Sequence, residues 1–181
     1  MDTVVTTGPT TIETTTRCAA LGFVAGLRSQ MPLAILAREL GERAADLPGP
    51  LARLADERVR VVLALSAAGE VVGDKLPFAP SRLKQEPLAG RIAFGGAAGA
   101  TAALAAGATA ALGAGMGAAG AWLGAVAGHR ARTTIVRTTG LPDPAVAVAE
   151  DLIALGLGFW AARGVRRAAD RTIGAAGAYE I

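Results

Sequence analysis

The chain has 181 residues, 52% of them hydrophobic, only 18% charged, and a formal net charge of +3. A water-soluble domain is about 25% charged, and here the shortfall is concentrated, because positions 92–128 hold no Asp, Glu, Lys or Arg. With a single cysteine, Cys18, this excludes a disordered protein, a disulfide scaffold and an ordinary soluble domain, and it points to a membrane.

The first sixteen residues are rich in Thr and contain no Lys or Arg. A secretory signal needs a basic region ahead of its apolar core, so the reading is a disordered tail, 1–16, before an uncleaved membrane helix. The first apolar run, 18–37, is long enough to cross a core of about 30 Å at 1.5 Å per residue. Arg28 and Pro32 interrupt it. Between Arg38 and Arg60 the chain is charged, and Leu47, Leu51 and Leu54 fall at helical spacing. That pattern predicts an amphipathic connector lying on the membrane face.

The next run, 59–73, is apolar apart from Arg60 and Glu70 and is short for a crossing, and it gives a membrane segment of about 59–75. It reads as a tilted span or a re-entrant helix buried in protein. In the re-entrant case, basic residues concentrate on a side carrying the long loops, opposite both termini, which the positive-inside rule places in the cytoplasm. Pro77, Pro80 and Pro87 mark a loop. As one helix, the charge-free run would extend about 55 Å, nearly twice the bilayer core. Two helices, 90–109 and 113–131, fit better, with a turn within 106–117, where Gly113, Gly115 and Gly117 cluster. After His129-Arg130-Ala131-Arg132 comes the turn Gly140-Leu141-Pro142-Asp143-Pro144. Asp143 is placed to cap a last helix, 144–162, with Pro144 at its first position. A basic tail, 164–181, follows.

The fold class is therefore all-α: one domain, 17–163, of a polytopic integral membrane protein with four to five transmembrane helices. Glycines recur every fourth residue at Gly95 and Gly99, at Gly120, Gly124 and Gly128, and at Gly22 and Gly26. Such spacing leaves a smooth face on which another helix backbone can approach closely.

Charges within apolar helices are costly, about 2.5–3.5 kcal/mol each on insertion scales, and normally pair or line a polar path. Arg28, Glu70, Asp74, Arg130, Arg132, Glu150 and Asp151 are the candidates for such a network. The expected pairings are a base in the first helix with Glu70 or Asp74, and Arg130 and Arg132 with Glu150 and Asp151. Lys75, Ser81 and Arg82, held among prolines, are candidates for an interfacial anion or lipid contact. No His/Cys cluster suggests a metal, the lone His129 has no partner nucleophile, and Ser81 has no base nearby. No metal, no cofactor and no enzyme activity are expected.

Several of these pieces resemble the domain-of-unknown-function 4126 family of bacterial membrane proteins. They are GLRSQMPLA from Gly26, GEVVGDKLPFAPSR from Gly69, PLAGR from Pro87, GHRAR from Gly128 and GLPDPAVAVAEDLIALGLG from Gly140. The resemblance implies a small multi-helix integral membrane protein and supplies no substrate or catalytic residue.

Two functions are consistent with these features. One is a transporter-like or channel-like protein built round a buried ionic network. The other is a structural or assembly protein that packs through its glycine faces. The expected partners are the lipid bilayer and a further copy or a membrane protein, not nucleic acid. The expected location is the cell membrane, as a multi-pass protein of the bacterial inner membrane.

Overall fold

A computed structural model describes residues 11–47, 49–73 and 85–177. Six α-helices follow one another: α1 (Thr11–Leu27), α2 (Met31–Leu40), α3 (Glu57–Gly73), α4 (Gln85–Ala105), α5 (Ala110–Thr139) and α6 (Asp143–Gly177). Two short 3-10 helices, Gly41–Asp46 and Gly49–Ala55, join α2 to α3. There is no strand among the described residues. The windows of α4, α5 and α6 are long and apolar enough to cross a membrane.

The first apolar run is not one helix. It breaks at Arg28–Gln30, between α1 and α2. The cause is Pro32, which has no N–H to offer the carbonyl of Arg28 and whose ring would collide with it. Proline is at home in a first turn, and here it sits just inside α2. The chain then reverses. Along α6, α1 meets Gly164 with Arg17, Gly158 with Val24 and Asp151 with Arg28. Returning, α2 meets Gly158 with Ile35, and Arg163 and Arg166 with Glu39. Helices α1 and α2 are thus an antiparallel hairpin whose tip is Arg28-Ser29-Gln30.

Other boundaries also differ from the sequence reading. Helix α1 starts at Thr11, inside the segment read as a disordered tail. Thr15 and Thr16 donate their hydroxyls to the carbonyls of Thr11 and Ile12 one turn back, and Arg17 pairs with Glu13 at 2.8 Å; both fit a helix. The turn after α4 falls at Ala106–Thr109, where Gly107 takes φ +73°. Gly113, Gly115 and Gly117 lie inside α5. That helix runs on to Thr139, where Gly140 at φ +68° closes it by donating to the Val136 carbonyl. Helix α6 continues to Gly177 through most of the expected tail, since no proline stops it. The connector after α2 lies on the same side as the end of α6, with Arg43 2.8 Å from Asp170. The long loops therefore do not all lie opposite the ends of the described chain.

The centre of the fold is a trio of α1, α4 and α5 packed backbone to backbone. A Cβ built on Gly22 would lie 2.0 Å from the Gly117 carbonyl oxygen, and one on Gly26 2.3 Å from that of Ala121. On α5, Gly120 faces Ala19 and Gly124 faces Phe23, so α1 and α5 run parallel. On its other side α5 meets α4, with Gly117 against Gly95 and Gly113 against Gly99, and these two run antiparallel. Leu21, Val24 and Ala25 of α1 are fully buried between the neighbours.

Candidate functional site

The hairpin tip gathers the buried charges. Among the described residues Arg28 is the largest fully buried side chain. Its Nε donates to Asp151 Oδ1 at 2.6 Å, and its Nη1 donates to the Leu27 carbonyl at 3.1 Å. The carbonyls at the end of α1 carry the negative pole of that helix, so a guanidinium there is doubly favoured. Asp151 is 10% exposed and Arg28 1%. A pair this dry survives only when both charges stay matched, because each alone would be stranded away from water.

The break in the backbone is satisfied by a side chain from another helix. Glu70, near the end of α3, accepts from Ser29 N–H at 2.7 Å and from Gln30 N–H at 3.0 Å. These amides open α2, where the helix dipole favours a carboxylate. Arg91 of α4 lies 3.7 Å from Glu70 and donates to the Gly26 carbonyl at 2.8 Å. It thus ties α3 and α4 to the last turn of α1. Two arginines and two carboxylates therefore meet at the tip: Arg28 of the tip itself, Glu70 of α3, Arg91 of α4 and Asp151 of α6.

On α5, Arg132 pairs with Asp143 through two hydrogen bonds and lies 4.0 Å from Glu150. Arg130 is exposed, and no carboxylate pairs with it among the described residues. Arg28 thus takes the acid expected for α5, and Glu70 takes a base the sequence reading did not single out. Adjacent on α6, Glu150 and Asp151 point to different partners, as their 100° separation requires. Asp74, Lys75, Ser81 and Arg82 lie outside the described residues. Gly95, Gly99, Gly120 and Gly124 are consumed in contacts within the chain, and Gly128 is buried in α5.

Arg91 was legible only as the boundary of the charge-free run, since it immediately precedes Ile92. A second charged layer was missed altogether. Glu39 of α2 lies 3.9 Å from Arg163 and 3.7 Å from Arg166. The spacing on α6 separates the two layers: Asp151 is twelve residues from Arg163, or about 18 Å. It is eight residues from Asp143, or about 12 Å. The tip thus lies well inside the length of α6.

One route leads toward it. A groove of about 800 Å³ runs between α2, α3 and α6. Arg38, Glu57 and Arg60 stand at one end, alanines of α3 form a wall, and Asp151 lies at the other end. The site can therefore hold a charge-balanced cluster with one carboxylate reaching a cavity. No group of three or more His, Cys, Asp or Glu residues is arranged for a metal among the described residues.

Residues 17–163 match the model of a family described as a domain of unknown function (DUF4126). No curated protein and no solved structure matches the chain.

Proposed function

The chain belongs to the DUF4126 family, and from its geometry we propose a transporter-like or channel-like integral membrane protein whose ion-exchange site is the Arg28–Asp151 pair. The supporting observation is that Asp151 both neutralises the buried Arg28 and lines the groove beside α3. Binding of a proton or small cation at the Asp151 carboxylate weakens the hold on Arg28, and the pair re-forms when the ion leaves. A broken helix at membrane depth, its amides answered by Glu70, suits such a site, because irregular backbone is tolerated there only when protein or a water-filled cavity surrounds it.

In this reading α3, α4, α5 and α6 cross the membrane. The α1–α2 hairpin enters and returns on the side that carries the end of α6. Helix α3 is 17 residues long, about 25 Å, and crosses beside the hairpin. This makes four spans and one embedded hairpin, and the re-entrant element is the first apolar run instead of the second. The abundance of Ala, Gly and Arg fits a bacterial inner-membrane protein.

The test uses purified protein in liposomes that enclose a pH-sensitive dye. Wild-type protein should speed the collapse of an imposed pH gradient over that in empty liposomes. Asp151→Asn should abolish this effect, and so should the charge-neutral pair Arg28→Gln with Asp151→Asn, which leaves no unmatched charge to unfold the protein. An inactive wild type, or a folded double variant as active as wild type, would refute the proposal.

A further inference from the structure

The second charged layer contains a pocket that shares only Phe159 with the groove of the ion path. Its volume is about 420 Å³, and its walls are Arg17, Arg163 and Arg167 with Phe159, Trp160 and Gly156. We infer that this pocket binds an anionic phospholipid, with the phosphate on the three arginines and an acyl chain descending past Gly156.

Arg17 is held by the fold, and Arg163 and Arg167 stand exposed beside it on α6. The Arg17 guanidinium lies against Gly164, where an added Cβ would come within 1.8 Å of it. It also stacks 5.0 Å from the Trp160 ring centre and donates to the Trp160 carbonyl at 3.2 Å. Its Nε is buried without a hydrogen-bond partner among the described residues. Arg163 lies 5.6 Å over the Phe159 ring.

Charge is in surplus. Glu13 serves Arg17, while Glu39 is shared between Arg163 and Arg166 at distances beyond a hydrogen bond. Arg167 has no carboxylate within 4 Å among the described residues and meets Glu13 only through a longer-range attraction. Guanidinium forks suit phosphate oxygens.

The source of the phosphate follows from the layering along α6. Trp160, half exposed, stands at the level of the arginines, as tryptophan does at a membrane interface. Below it Gly156 leaves an open notch, with nothing within 4 Å of an added Cβ. Below that, Leu152 and Ile153 are exposed and apolar. Charge above and an apolar track beneath match the polarity of a phospholipid and would be wasted on a soluble phosphate.

Native mass spectrometry of the detergent-solubilised protein tests the site with dioleoylphosphatidylglycerol, against dioleoylphosphatidylcholine and inorganic phosphate. Wild type should retain phosphatidylglycerol in preference to phosphatidylcholine. Arg163→Gln with Arg167→Gln should weaken that retention about fivefold for each arginine lost. Gly156→Leu, which fills the notch, should weaken it as well. Arg53→Gln with Arg58→Gln removes the same charge from exposed positions near the α2–α3 connector and should leave retention unchanged. The charge-neutral pair Arg28→Gln with Asp151→Asn, which removes the ion site without stranding a charge, should also leave it unchanged, so failure of the ion path does not touch this inference. Equal losses in the two double variants would reduce the site to a general charge effect. Inorganic phosphate bound as tightly as phosphatidylglycerol would reassign it to a soluble anion. Either result overturns the inference.

Discussion

The two halves of the interior are built on opposite terms. In the α1–α4–α5 trio no charge is present over 92–128, and helices touch through glycine and alanine. At the hairpin tip, Arg28 and charged residues of α3, α4 and α6 close on a break in the backbone. Inside a bilayer the hydrophobic effect gives no reason for one apolar helix to prefer another over lipid, so shape must hold the trio together. The tip has the reverse problem. Its groups are expensive to bury, so each must be answered by another. The trio is therefore intolerant of added volume, and the tip of unmatched charge.

This contrast sets the order of expected effects. The largest belongs to the trio. Gly117→Leu would drive a side chain into the Gly95 carbonyl, which a Cβ alone would approach to 2.1 Å. Ordinary overpacking costs about 1–3 kcal/mol, and here the obstacle is backbone that cannot rotate away. The variant should fail to yield folded protein by circular dichroism and size-exclusion chromatography in detergent. Gly115→Ala, two residues away with nothing within 4 Å, should behave as wild type. Similar behaviour of the two variants would break the account of the trio.

Next is the tip. Arg28→Met leaves Asp151 buried without its partner and should cost about 3–5 kcal/mol. Arg28→Met with Asp151→Leu should recover most of that loss, as measured by thermal unfolding in detergent. If the double variant is as unstable as the single, the pair is not what makes Arg28 necessary.

The smallest effect lies outside both regions. The hydrogen bond from Arg17 holds the Glu13 carboxyl below its ordinary value of 4.5. Because the folded value is lowered, this pair stabilises above the ordinary value and its contribution is lost as pH falls through the lowered one. Glu13→Gln should therefore reduce stability by at most about 0.5 kcal/mol at neutral pH. The difference from wild type should vanish in acid.

The same contrast explains what the sequence revealed. Glycine periodicity exposed the packing face of α5 because close approach demands the missing side chain at fixed intervals, and Gly120 and Gly124 do face α1. The break at Arg28 was harder to see. Apolar residues continue on both sides of it, and hydropathy does not register a reversal of direction; only Pro32, by its effect on the Arg28 carbonyl, carries that signal. Charged residues were recognisable as candidates because any charge in such surroundings is conspicuous. Their partners were not, because pairing depends on which helices become neighbours. Arg28 meets an acid 123 positions away, and Glu70 meets Arg91 across the chain segment that follows α3. Thr-rich helix starts were missed because Thr hydroxyls can bond back to the helix as readily as to water.

If the charged tip is reached from water through the groove beside α3 while the trio stays dry, a water-borne reagent will tell the two apart. With Cys18 replaced by Ala, a single cysteine at Ala67 on the groove wall is compared with one at fully buried Ala102 of α4. Both proteins are placed in liposomes and exposed to a charged, membrane-impermeant thiol reagent. Ala67→Cys should react and Ala102→Cys should not. Equal protection of both cysteines would show a groove closed to water, and the tip would then be a structural clasp without an ion path.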